Sequence, residues 1–102
     1  MDELNEIIHQ PVRLRIMAAL TALEAGSEMD FSTLRDLLEV TDGNLGAHLR
    51  KLEDAHYITT NKTFIDRKPR TFISATGAGR SAFQKHVAAL EIILKNKPGK
   101  IE

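Results

Sequence analysis

The apolar spacing of this chain changes period twice, and that double change restricts the available folds more than any other feature. Up to about residue 56 apolar side chains recur every three or four residues, as helices require. From Tyr57 to Ala75, β-branched and aromatic residues gather in two runs, YITTNKTFI and RTFISA, and after Thr76 the helical spacing returns. A chain of 102 residues with 42% apolar content has room for one small core, not for two domains. Cysteine is absent, so packing or association must supply the stability that disulfides or thiolate metal sites supply elsewhere. The expectation is a single mainly α domain over residues 1–102 with one small β-hairpin.

Residues 1–10 read as an N-terminal extension. Pro11 suits the first turn of a helix over 11–25, closed by Gly26, with Val12, Ile16, Leu20 and Leu23 on one stripe and Leu14, Met17 and Ala18 widening it. EMDF is short enough for a strand stub. Ser32 is placed to cap a second helix over 32–39 that carries Leu34, Leu37 and Leu38. Thr41 caps a third, over 42–55, whose inward stripe is Leu45, Leu49 and Leu52. Two short helices so closely joined have helix-turn-helix spacing. Residues 57–75 form the hairpin, with DRKP supplying turn formers and charge. Thr76 caps a long last helix over 76–96, and 97–102 is expected to be a flexible tail. The expected order is α-β-α-α-β-β-α.

Lys plus Arg equals Asp plus Glu at 14 each, so the formal net charge is zero. The total conceals a division: residues 1–42 hold three basic and nine acidic side chains, whereas residues 43–102 hold eleven basic and five acidic. Such a chain can turn one basic face to a polyanion, although a merely solvated surface has the same composition until the positions converge. The acidic start MDELNEII lacks the basic opening of a secretory signal, and charge interrupts every apolar stretch. A cytoplasmic protein with no membrane partner is expected. The histidines at 9, 48, 56 and 86 have no ligand spacing, and no Gly-rich loop follows a strand. No enzymatic activity and no cofactor are expected.

In this order of elements, MDFSTLRDLLEVTDGNLGAHLRKLEDAHYI resembles the second and recognition helices of the small winged-helix transcriptional regulators of the MarR and ArsR type. LGAHLRKLE carries their "HL" followed by a later Leu, and Ser74, Ala75, Thr76 and Gly77 match the segment that precedes their last helix. The resemblance spans nearly the whole chain and implies double-stranded DNA as partner. One departure is His56, which stands where the family has Gly and must leave the helix in a left-handed or irregular conformation. Some ArsR-type proteins sense metals through cysteines or a His and carboxylate cluster on the last helix. Here His86 and Glu91 are five apart and no cysteine exists, so no metal is expected. The sequence supports no particular small-molecule effector.

The residues themselves point the same way. With Leu45, Leu49 and Leu52 inward, a step of 100° per residue turns Gly43, Ala47 and Arg50 outward, with Asn44 and Lys51 beside them. A helix entering the major groove needs small residues where its backbone nears the duplex and amide or guanidinium groups where bases are read. Gly43 then allows close approach at a propensity cost of about 1 kcal/mol. Gly46, nearer the core direction, is expected to let the second helix cross closely. Asn44 is the better base reader; Arg50 and Lys51 suit the backbone, and His48 is a packed or phosphate-touching residue. Ser32 and Thr41 act as caps whose neighbouring amides can receive phosphate. Asp42, Glu53 and Asp54 belong at helix ends or toward the second helix, away from DNA. In the wing, Lys62, Arg67, Lys68 and Arg70 form the basic tip.

The apolar surplus of Leu4, Ile7, Ile8 and Leu14 with Phe83, His86, Val87, Leu90, Ile93 and Leu94 exceeds what one small core consumes. A homodimer is therefore expected, one that reads two half-sites of a palindrome. The rival reading is a winged-helix protein-interaction module without sequence-specific DNA binding, which zero net charge favours.

Overall fold

Pro11 opens the helix against which most of the chain packs. The computed structural model describes residues 3–96, so the expected tail over 97–102 lies outside them. In chain order the elements are α1 (Glu6–His9), α2 (Pro11–Thr21), β1 (Met29–Asp30), α3 (Phe31–Leu38), α4 (Asp42–Asp54), β2 (Ile58–Ile65), β3 (Lys68–Ala75) and α5 (Gly77–Lys95). This is the expected winged helix-turn-helix order with one helix added at the front. Residues 1–10 are thus no mere extension. Asn5 caps α1 by accepting the Ile7 and Ile8 amides at 2.9 and 3.1 Å, and Ile8 is completely buried.

Gln10 caps α2 through the Arg13 amide at 2.9 Å, with Pro11 in the first turn, where a missing N–H costs nothing. Ile16, Met17 and Leu20 are fully buried, and α2 touches α1, α3, α4, α5 and β3. Its broad apolar arc is explained by these neighbours, and Leu14 leans on the same core. The helix ends at Thr21, earlier than 25, and Gly26 at φ 88° belongs to the following turn. Arg80, from α5, closes that end: its guanidinium donates to the carbonyls of Thr21 at 3.2 Å, Leu23 at 3.0 Å and Glu24 at 3.1 Å.

The cap of α3 is Asp30, which accepts the amides of Ser32 and Thr33 at 3.0 and 3.2 Å; Ser32 sits inside the first turn and does not cap. Leu34 and Leu38 face the core, while Leu37 is 57% exposed. Glu39 leaves α3 in the left-handed region at φ 55°, and two residues later Thr41 caps α4 by accepting the Asn44 amide at 3.1 Å. Leu45, Leu49 and Leu52 are buried as expected. At the far end His56 takes φ 64°, the left-handed exit its position demands, and the Tyr57 amide donates back to the Leu52 carbonyl at 3.0 Å.

β3 is central in a three-stranded antiparallel sheet of order β1-β3-β2, with Met29 opposite Ile73 and Ile58 opposite Ala75. The hairpin closes on two residues, Asp66 at φ 52° and Arg67 at φ 68°, the double positive φ that suits the twist of a tight hairpin. Thr76 caps α5 through the Gly79 amide at 2.9 Å. Gly79 is buried, and a Cβ there would run into the Tyr57 carbonyl, so α5 crosses the start of β2 at backbone contact.

His86, expected at a seam between copies, is completely buried inside the one chain, as is Ile8. Ile7 and Phe83, from the same expected seam, are partly buried against the core. Nδ1 of His86 accepts the Asn5 amide at 2.9 Å, and the His9 ring stands edge-on with centroids 5.3 Å apart. Burial first, and His9 second, lower its pKa below the ordinary histidine value. The folded state therefore resists protonation that the unfolded chain accepts. This contribution to stability is complete above the unfolded pKa near ~6.5 and is lost as pH falls through the folded-state pKa.

Thermal melting followed from about pH 7.5 to 5.5 should show falling Tm for the native chain and a flatter profile for His86→Gln. Gly79→Ala should destabilise by about 3 kcal/mol in urea titration, since backbone cannot yield as a side chain can.

Candidate nucleic-acid interface

Three buried leucines fix the roll of α4, and the opposite face follows from them. Gly43, Asn44, Ala47, Arg50 and Lys51 are all exposed on it. Arg50 and Lys51 have no ion-pair partner among the described residues. Ser32 and Thr41, at the starts of α3 and α4, are exposed as well. Asp42 is drawn toward α3, where Arg35 donates to it at 2.9 Å and to Asp36 at 3.0 Å. These two carboxylates, the first-named larger in effect, raise the Arg35 pKa. Glu53 accepts the Thr60 hydroxyl at 2.8 Å, so neither acid stands unengaged beside the outward cations.

His48 is held from below rather than offered outward. Its Nδ1 lies 3.1 Å from an Arg13 guanidinium nitrogen, the ring is half-buried, and burial followed by the Arg13 charge lowers its pKa. A neutral ring accepting from Arg13 is the resulting state.

Gly46 does not carry a helix crossing: a Cβ there would meet nothing within 4 Å, and the same holds at Gly43. Gly46 instead borders an open groove of about 290 Å³ between α4 and the wing, which Arg50, Lys62, Thr60 and Thr71 also line. Arg50 of the helix and Lys62 of the sheet thus flank one channel. Arg67 and Lys68 stand exposed at the wing tip. Arg70 is partly withdrawn, since its Nε donates to Asp30 at 2.9 Å and its guanidinium lies 6.0 Å from the Phe72 ring centroid. Burial raises the Asp30 pKa, but Arg70 and the Thr33 and Ser32 amides outweigh it and hold the carboxyl below its ordinary value.

Two features escaped the sequence reading. Phe64 is 74% exposed near the wing tip and Ile65 43%, in a run that the sequence places in the hairpin by its β-branched and aromatic residues. The signal was the two-residue turn, because counting back from it puts Phe64 opposite Pro69 and far from Ile58. A second cleft, of about 370 Å³, lies between the N-terminal segment and α5, with Asn5, Tyr57, Lys85 and His86 among its walls, away from the outward face of α4. Among the described residues no cluster of three or more His, Asp or Glu is placed to hold a metal ion, and no helix is long and apolar enough to cross a membrane.

Fold and face together define a winged helix-turn-helix protein. The chain belongs to the family described as "Winged helix DNA-binding domain", whose pattern matches residues 12–94. An uncharacterised protein of Methanocaldococcus jannaschii is 36% identical over 91 residues, 89% of this chain and 96% of that one. A transcriptional regulator homologue from Pyrococcus horikoshii superposes with a TM-score of 0.80 at 32% identity, over 89% of this chain and 87% of that one. A MarR family transcriptional regulator from Silicibacter pomeroyi shares the fold at a TM-score of 0.66 and 18% identity, over 95% of this chain and 62% of that one. The winged-helix fold that the sequence resemblance implies is thus the fold of this chain.

Both open glycines should be replaceable without steric penalty. Gly46→Ala, in the helix interior, is expected to raise stability by up to about 1 kcal/mol in urea titration, and Gly43→Ala by less because it sits in the first turn. If Gly43 serves close approach to DNA, Gly43→Ala will be more stable and yet bind a cognate duplex more weakly; normal binding by that variant removes the close-approach role.

Proposed function

We propose that this chain regulates transcription as a homodimer that reads a palindromic operator, each copy laying α4 in a major groove. The observation that carries this reading is the outward face of α4, small at Gly43 and Ala47, amide-bearing at Asn44 and cationic at Arg50 and Lys51, with Lys62 across the groove. Asn44 is suited to an adenine edge and Arg50 to guanine or phosphate. Ser32 and Thr41 present the starts of α3 and α4 to the backbone. Arg67 and Lys68 contact phosphates or the adjacent minor groove, while Arg70 divides itself between Asp30 and the DNA.

The dimer surface assigned by this proposal is the far end of α5. From Glu91 to Asn96 every residue is exposed, and Ile92, Ile93 and Leu94 are 42, 51 and 65% so. Val87 and Leu90, half-buried, continue the strip toward the core, and Leu4, half-buried in the N-terminal segment, is assigned to the same surface. A second copy of α5 would cover what this chain leaves open.

Selection from a random duplex library at two salt concentrations should enrich a palindrome with half-sites about one helical turn apart. Salt-sensitive binding without enrichment would reduce the protein to nonspecific DNA association, and no binding would favour the protein-interaction module. In the triple variant Arg67, Lys68, Arg70→Ala the log-log salt slope should become shallower by about one unit per lost phosphate contact, most of it from the first two. Sedimentation velocity should show a dimer for the native chain and a monomer for Ile93→Glu with Leu94→Glu; a native monomer at micromolar concentration contradicts the dimeric arrangement.

A further inference from the structure

Phe64 is the most exposed large apolar side chain among the described residues. Register fixes where it points. Thr60 pairs with Ile73, Lys62 with Thr71 and Phe64 with Pro69, and directly paired residues share a face of the sheet. Ile73 on that face is fully buried, and Thr60, Lys62 and Thr71 line the groove against α4. Phe64 and Pro69 therefore prolong the groove wall on the side of the recognition helix. Four residues at about 3.3 Å each carry Phe64 roughly 13 Å past the last pair with a buried member. Neighbouring major and minor grooves are separated by about half a helical turn, ~17 Å.

The charges around this apolar tip are of one predominant sign. Lys62, Arg67 and Lys68 have no ion-pair partner among the described residues, and Asp66 is the lone acid of the hairpin. An apolar point ringed by cations complements a groove walled by phosphates. An exposed Phe on a hairpin is otherwise a liability for aggregation, so its surroundings matter to what covers it. The tight Asp66–Arg67 turn holds Phe64 and Pro69 side by side one pair before the tip.

We propose that Phe64, backed by Pro69, is a minor-groove wedge that opens a base step beside the α4 site, so that this chain bends the DNA it reads. This rests on the DNA reading proposed above. Proteins that kink duplexes insert Phe, Leu, Ile, Met or Pro between base steps and bend the duplex by about 20–90°. Here two residues of that set form one cross-strand pair, and the flanking cations neutralise the phosphates that converge as the helix bends.

The test uses the full chain and a duplex recovered from the library selection, labelled at both ends for energy transfer, with anisotropy for affinity. The native protein should bend it by at least about 20°. Phe64→Ala should leave the duplex straighter and bind about tenfold more weakly with an unchanged salt slope, because an aromatic contact and no charge is lost. Phe64→Trp should retain the bend. A Phe64→Ala protein that bends and binds like the native chain overturns the wedge while leaving the DNA reading intact, and assigns the tip to some other surface. Loss of the salt slope in Phe64→Ala also overturns it, since the side chain would then merely hold the wing in place. If the native chain binds no duplex, the DNA reading fails and the wedge with it.

Discussion

The contact on which the placement of α4 and the wing depends is the meeting of α5 with the first residue of the wing. The Tyr57 carbonyl receives the Thr76 amide at 3.0 Å, the Thr76 hydroxyl donates to the His56 carbonyl at 2.7 Å, and Gly79 leaves no atom in the way. Within three residues the exit of α4, both ends of the hairpin and the start of α5 are joined. His56 pays in backbone strain for the sharp turn that brings them together, at φ 64° without the glycine that fits such a position best. Farther along, the wing is held again by the pairing of β1 with β3 and by the Arg70–Asp30 contact.

Electrostatics separate the basic residues engaged within the chain from those left free of partners among the described residues. A zero total charge hides an arrangement in which three acids near the outward face of α4 and the wing are engaged: Asp42 with Arg35, Glu53 with Thr60, and Asp30 with Arg70 and the α3 amides. Arg50, Lys51, Lys62, Arg67 and Lys68 are left without such partners among the described residues. The surface pairs involve exposed groups, and their value lies in steering and placement more than in stability. Asp30 is the exception in kind, since one carboxylate caps a helix, anchors the wing and sits at the end of β1.

Much of this was legible from spacing alone. Thr41 and Thr76 as caps, Pro11 in a first turn, the inward leucines of α4 and the left-handed His56 all follow from local rules, and local rules hold where neighbours in sequence decide the geometry. The failures are long-range. Ser32 looked like a cap because Asp30, two residues earlier, read as part of a strand, and it is both. Ile8 and His86 looked like surplus apolar surface because nothing in sequence brings residue 5 to residue 86. Gly79 was overlooked and Gly46 over-interpreted for the same reason: whether a missing side chain matters depends on what lies across from it, and only Gly79 has backbone there. Phe64 lies beyond the core because the hairpin outruns it, which the strand's composition alone does not reveal.

Arg80 gives this small fold a mechanical property. By donating to the carbonyls of Thr21, Leu23 and Glu24, at and just past the end of α2, it ties α5 to the helix at the centre of the packing. Whatever grasps the protruding end of α5 acquires a handle on α2 and, through α2, on α4 packed against it. In the dimer proposed above, the Arg80 contact would link the α5 interface to α2 and so help set the spacing of the two α4 helices, like the screw that locks a caliper.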